Sequence, residues 1–458
     1  MSLEKLCEIN EKGKLVELKN DGVTHLGRGV DMSNISKEID ITISDADRSG
    51  HFGCFGTTRV GKTRLIENII EQDIRKGYNV VVIDPKGDAE LFSKIVQVAA
   101  ESGRLEEVMM LTPIFPDYSI MLDPLAHYFM EDELVEHIIS GIKAKEDYFI
   151  AIAQEVSRDV IAGLSLQARH EKKKMNINFL DVKDRSDWTN LKAFRNSLQY
   201  LTGSEDLVRS MDQILASPQD FFSKVSSSLR TTLSALTSGP TGQIIGKSLV
   251  NEFVNRFERG NGVILFCNTG SMLARRTSHI IARVLVSMIQ SMLGRFFASA
   301  RKLAPPLCLH VDEGHNILYK GIQELFNKGG GANLWINFYT QSIAQIEEEI
   351  GPEATRSIID NINSWMFMLV NHPDTAKYVE DSSSNRRKYQ PILSFGGGIS
   401  VREIEEKQIL ATQVMQLPKR YFYVRSYGKL YKGITQDVSQ RYVNVKLPLI
   451  KDGAIEDN

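Results

Sequence analysis

Residues 50 to 70, GHFGCFGTTRVGKTRLIENII, carry the densest chemistry in the chain. From Gly56 to Thr63 the spacing is GxxxxGK[ST]. In that pattern successive backbone N–H groups curl round phosphates, the lysine reaches the outer ones and the hydroxyl ligates magnesium. It assigns Gly56, Thr57, Thr58, Arg59, Val60, Gly61, Lys62, Thr63 and Arg64 to nucleotide binding, with Lys62 also catalytic and Thr63 also a metal ligand. The loop needs a strand before it and a helix after it. HFGCF and RLIENIIEQDIRKG supply both. A second GKS, in TGQIIGKS at residues 241 to 248, has Thr241 five positions before Gly246 and no apolar strand ahead, so it reads as a loop or helix boundary.

A phosphate loop needs a carboxylate for the metal and a base for the attacking water. LCLHVDE is an apolar run that delivers Asp312 to magnesium, with Glu313 beside it to activate water for in-line displacement. NLWINFYTQS is a further buried strand whose polar end should emerge at the same sheet edge, where the amide of Gln341 can bond a γ-phosphate or the attacking water. The glycines of NKGGGAN permit close approach and carry no chemistry themselves.

These residues must be held by an α/β core. YNVVVIDPKGD completes a βαβ unit after the loop, and its DPKGD turn lies at the strand end where open α/β sheets collect ligands. VMMLTP, GVILFCN, WMFMLVNH and RYFYVRSYG are further strands. Residues 1–50 read as small strands and hairpins beside the core, with turns at NEKG, NDG and HLGRG. Residues 51–129 and 251–458 form the two parts of a nucleotide-binding domain, and 130–250, with helical periodicity throughout, form an inserted all-α domain. The basic run His170 to Lys174 on that insertion is either a solvated helix end or a nucleic-acid contact. Residues 381 to 400 read as a long turn-rich loop.

The 458 residues suffice for two or three domains. A net charge of -2 argues against a protein that coats nucleic acid, while leaving room for a local basic surface such as a pore lining. The four cysteines form no CxxC pair, and three lie in apolar runs, as reduced buried thiols of a cytosolic compartment do. With no run of 18 apolar residues and no signal-peptide core, the chain is expected to be soluble.

Taken in order, GTTRVGKT, VVIDPKGD, LHVDEGHN and NFYTQSIAQ resemble the coupling-protein ATPases of type IV secretion and conjugation. This is the TraD/TraG and VirD4-like group within the FtsK/HerA set of DNA-pumping motors. The likeness runs from about residue 25 to 435 and includes the late LPKRYFYVRSYGKLYKG. It implies a RecA-like P-loop NTPase core interrupted by an all-α domain, using ATP and Mg2+. It also implies a homo-oligomer, a hexamer at the cytoplasmic face of the bacterial inner membrane. Its partners would be DNA, a relaxase–DNA complex or protein substrates, and the channel components. Two departures stand out. The family's N-terminal transmembrane helices are absent, which leaves a removed anchor or tethering through a partner. Many members place an arginine that enters the neighbouring subunit's site where this chain has Gly330, leaving Lys328, Arg275, Arg276 and Arg356 as unranked substitutes. The expected function is an ATP-driven coupling motor. The alternative is an ATP-binding docking or assembly factor with little turnover.

Overall fold

A computed structural model describes residues 7–9, 21–144, 146–393, 399–451 and 454–456. In chain order the strands that matter are β1 (Val23–Asp31), β2 (Asn34–Ser44), β3 (Phe52–Phe55), β4 (Asn79–Asp84), β5 (Val108–Leu111), β6 (Ile264–Asn268), β7 (Leu307–Val311), β8 (Leu334–Thr340) and β9 (Ser364–Phe367). They are followed by β10 (Asn385–Leu393), β11 (Ile399–Lys407), β12 (Tyr421–Ser426) and β13 (Lys429–Thr435). Eleven of them make one sheet in the order β2-β1-β13-β12-β9-β3-β8-β7-β4-β6-β5. From β9 to β5 all neighbours are parallel, whereas β12, β13, β1 and β2 extend the sheet antiparallel. This is the α/β, RecA-like architecture that the motif order implies.

The parallel strands are apolar on both faces because helices cover both. Val81, Leu265, Leu309 and Ile336 belong to the core on one face, Val80, Val82 and Phe266 to that on the other. The second face is covered by α1 (Lys62–Arg75) and α2 (Ala89–Glu101). Against the first lies α5 (Ser271–Ala298). Outside α5 come α3 (Glu131–Ser140), α4 (Asp147–His170) and shorter helices as far as Glu258. The helical segment is fastened to α5 by apolar contacts and by polar bonds: Arg295 donates to Glu133 at 2.8 Å, and His137 Nδ1 meets Ser287 Oγ at 2.9 Å. Among the described residues α5 is the one helix long and apolar enough to cross a membrane, yet 67% of its apolar window is buried in the fold.

Two local expectations are overturned. HLGRG is strand, not turn, because it lies inside β1. Its glycines serve close approach: a Cβ on Gly27 or Gly29 would stand 2.0 Å from a carbonyl oxygen of β13. The segment after residue 384 is likewise a hairpin of β10 on β11, in which Arg387 meets Glu403 at 3.1 Å and Lys388 meets Glu406 at 3.4 Å across the strands. Cross-strand charge pairing outweighs the turn-like composition there. NEKG lies outside the described residues. His170 ends α4, and Glu171 to Lys174 are exposed. Cys54, Cys267 and Cys308 are free and buried.

Beneath the sheet centre lies a charged cluster. Side chains alternate along a strand, so His310 of β7 and Asn337 of β8 face α1 rather than α5. Asp73 of α1 accepts from both guanidinium nitrogens of Arg48 and, at 2.9 Å, from His310 Nε2. Arg48 also donates to Thr24 Oγ1 at 3.0 Å and to Asn337 Oδ1 at 3.2 Å, and stacks over Trp335. Arg48 and Asp73 are 2% and 0% exposed, so each depends on the other for its solvation. Burial alone would raise the pKa of Asp73, but Arg48, helped by His310, holds it well below the carboxylate range.

Asp73→Ala should therefore cost about 3–5 kcal/mol at pH 7, by leaving Arg48 buried without its partner. A depressed carboxylate contributes fully above its unfolded pKa and loses that contribution as pH falls through the folded one. The gap in urea stability between parent and Asp73→Ala should thus narrow by about 1 kcal/mol per unit below about pH 4. A gap independent of pH would show that the ion pair is not its source.

Candidate functional site

β3 ends at Phe55, the chain loops from Gly56 to Gly61, and α1 begins at Lys62. The reversal needs glycine at Gly61, whose φ of 116° an L side chain rarely adopts. Neighbouring backbone braces the loop at three points. Gly56 N–H donates to Thr340 C=O at 3.1 Å, Thr57 N–H to Leu369 C=O at 2.8 Å, and Arg420 N–H to Val60 C=O at 2.8 Å. At Gly56 a Cβ would crowd Met368 at 3.0 Å and Val60 at 3.2 Å, so a side chain on this wall of the cradle would require those neighbours to give way. Lys62 folds its ammonium over the loop, donating to the carbonyls of Gly56 and, at 3.3 Å, Thr57. Burial draws its pKa down. Thr58, Arg59, Thr63 and Arg64 are exposed along the rim, Arg64 donating to Glu67 at 2.6 Å. A helix amino end with free N–H groups behind a glycine loop is a ready anion site.

The acid edge follows from strand alternation. Asp312 continues the side of β7 that carries His310, and so faces α1 and its loop. Its backbone N–H donates to Ile83 C=O at 3.1 Å, and its Oδ1 accepts the N–H of Glu313 at 3.0 Å. Glu313 turns the chain at φ 50°, and its Oε2 accepts from Asn316 at 3.4 Å. Burial by itself would raise the pKa of Glu313, but Lys86 brings it below the usual value. Beside them Asp84 closes β4, buried, and accepts the N–H groups of Lys86 at 2.9 Å and Asp88 at 2.6 Å. Its carboxyl is pushed up to about 6, mainly by burial, with the charge of Asp312 adding to the effect.

Gln341 follows the last residue of β8, the same Thr340 whose carbonyl holds Gly56. Its N–H donates to Gln345 Oε1 at 3.2 Å. The phosphate loop, Asp312, Glu313 and Gln341 therefore gather at one edge, the carboxyl ends of adjacent parallel strands. Two residues at this edge carry no role in the sequence reading. Lys86, within the DPKGD turn, reaches Glu313 Oε1 at 2.8 Å and Asp312 Oδ2 at 3.7 Å. Arg420 is held against the loop at φ 72° and pairs with Asp437 at 2.6 Å. The DPKGD turn was a usable signal for the first; nothing in spacing marks the second.

The substitutes for the missing arginine are not brought together. Gly330 lies in the turn before β8, at the amino ends of the strands, where a Cβ would stand 2.2 Å from the carbonyl oxygen of Ser49. Lys328 nearby is exposed and pairs with Glu324. Arg275 and Arg276 open α5, beyond the carboxyl end of β6, and Arg276 donates to Thr231 at 3.0 Å. Arg356 is exposed on α6 (Ile343–Asn361). A cavity of about 570 Å³ between α3, α5 and residues 319–332 is lined in part by Lys328 but by no residue of the phosphate loop and by none of Asp312, Glu313 and Gln341. Size does not locate the chemistry here, because a phosphate site is an open edge of backbone donors. Among the described residues no three His, Cys, Asp or Glu side chains form a metal cage. One carboxylate and one hydroxyl completed by phosphate oxygens is instead how magnesium is ordinarily held.

Residues 24–252 match the family described as the helicase HerA central domain, and residues 306–390 match the TraM recognition site of TraD and TraG. No curated protein matches the chain in sequence. Among solved structures, the bacterial conjugative coupling protein TrwB in an unbound form superposes with a TM-score of 0.68 at 14% identity, over 93% of this chain and 91% of that one. TrwB in complex with a non-hydrolysable GTP analogue gives 0.65 at 15% identity, over 87% and 88%. VirB4 of Thermoanaerobacter pseudethanolicus gives 0.51 at 10% identity, over 92% and 98%. At such identities the likeness establishes the fold.

Two substitutions test this geometry. Lys62→Ala should remove measurable nucleotide binding in equilibrium dialysis; parent-level binding would take the loop out of the site. Gly330→Arg should lower the thermal midpoint, by about 1–3 kcal/mol of stability or more, because its Cβ collides with backbone. A variant as stable as the parent would show that the position tolerates a side chain.

Proposed function

The chain belongs to the family of the helicase HerA central domain, and from that premise we propose that it is an ATP-driven coupling motor. Its substrate would be DNA or a DNA–protein complex, moved to a type IV secretion or conjugation channel. The observation that carries the reading is a braced phosphate loop facing an Asp-Glu pair at one edge of a RecA-like sheet. The match at residues 306–390 and the fold shared with TrwB support the coupling role.

In this reading ATP lies with its phosphates on the N–H groups from Thr58 to Thr63 and against Lys62. Thr63 and Asp312 would hold magnesium, which would supply neutralisation of the phosphate charge. Glu313 takes a proton from water as its oxygen attacks the γ-phosphorus in line; the bond to the β-phosphate oxygen breaks, giving ADP and phosphate. Gln341 orients that water or bonds the γ-phosphate, and reports the nucleotide state through β8. The helical segment from about 130 to 250 serves substrate selection, and the chain works as a ring of six copies at the inner membrane.

One observation favours a second reading, an ATP-binding docking or assembly factor with little turnover. Gly330 is closed by Ser49, so no side chain at that place can reach a neighbour. A motor then needs its interface cation from elsewhere, whereas a docking factor does not.

Glu313→Gln should keep ATP bound while slowing hydrolysis by about 10²-fold or more; unchanged turnover would remove Glu313 from the chemistry. Mixing parent with Lys62→Ala chains, with and without DNA at fixed salt, tests the motor. Rates should rise with assembly and DNA, and fall nonlinearly with the mixing ratio. Activity that is proportional to the parent fraction and indifferent to DNA would exclude the coupled ring.

A further inference from the structure

The ammonium of Lys86 stands where the charges of the nucleotide edge meet. It is 2.8 Å from Glu313 Oε1 and 3.7 Å from Asp312 Oδ2, on a side chain 46% exposed. Its backbone has little freedom. The Asp84 carboxylate accepts the N–H groups on either side of the turn, from Lys86 and Asp88. Ser271 N–H donates to Pro85 C=O at 2.7 Å. Gly87, at φ 72°, lies so close to Asn268 that a Cβ would meet it at 2.3 Å. The root of Lys86 is thus fixed, while its four-carbon stem can sweep a point charge from one anion to another.

We propose that Lys86 is the residue by which this site distinguishes a nucleoside triphosphate from a diphosphate. This rests on the nucleotide reading given above. Without a terminal phosphate the ammonium stays on Glu313 and occupies a carboxylate oxygen that an attacking water must reach. A terminal phosphate held by the loop and Lys62 offers a second, more highly charged anion at the same edge. Lys86 moves to it, and Glu313 is released to the water. A diphosphate has no group in that place, so the base stays masked. The ion pair makes the acid pair inert until the correct ligand is bound, and couples ligand identity to the availability of the base.

The test is equilibrium binding of a non-hydrolysable ATP analogue and of ADP to the full chain, alongside thermal melting. Lys86→Met should weaken analogue binding by about tenfold or more, the scale of one hydrogen bond to a charged group, while ADP changes by less than about twofold. Lys86→Arg should restore most of the difference. Equal loss for both nucleotides, or no loss for either, would overturn the proposal and leave Lys86 as a neutraliser of the acid pair. Should Lys86→Met melt far below the parent, Lys86→Gln carries the same comparison with the same outcomes. Failure of the underlying nucleotide reading looks different: the parent itself, or Lys62→Ala as well as the parent, would show no difference attributable to the loop.

Discussion

The buried pairing of Arg48 with Asp73 is the constraint on which the rest of the site depends. Asp73 sits near the far end of the helix that starts at the phosphate loop, and its other partner, His310, lies two residues before Asp312. One carboxylate therefore fixes the helix behind the loop relative to the strand that carries the acid pair. Asn337 ties in β8, which Gln341 follows, and Arg48 ties in the helical turn after β2. The cluster contributes no chemistry of its own. It sets the relative depth of the three elements whose ends must meet within hydrogen-bonding distance of one ligand.

Much of the site was legible because parallel strands translate sequence into position simply. Each buried strand is a short apolar run, its carboxyl end is polar, and all such ends in a parallel sheet lie on one edge. GTTRVGKT, HVDE and YTQS could therefore be placed together without knowledge of the strand order. Alternation gives the remaining step, since His310 and Asp312 must share a side.

Other parts were illegible for reasons that are equally physical. HLGRG has the composition of a turn, but its glycines answer to a neighbouring backbone that only the folded sheet brings near. β10 opens on Asn385-Arg386-Arg387-Lys388 and β11 closes on Glu405-Glu406-Lys407, so charge masks the strands at the end where they pair, and that pairing places opposite charges across the ladder. Lys86 stands on a turn that could be recognised as a ligand-collecting end, but its partners are more than two hundred residues away and become neighbours only through the pairing of β4 with β7. Gly330 looks like a missing functional residue in sequence and proves to be a packing requirement in space, because Ser49 fills the volume a side chain would need.

The sheet is continuous from β2 to β5, eleven strands without a seam, with helices packed on both faces and the helical segment secured to α5. A slab of this kind is stiff: bending it would break ladder bonds and dense apolar packing at once. Under the proposed function, work drawn from a ligand at its edge would not be stored as flexure of the slab. In the motor proposed above it would leave as rotation of the chain as one body, with loops at the carboxyl edge as the trigger and the width of the sheet as the lever arm. The antiparallel strands beyond β9 lengthen that arm, so that under the proposed function a shift of small amplitude at the phosphate loop would become a larger displacement at β2.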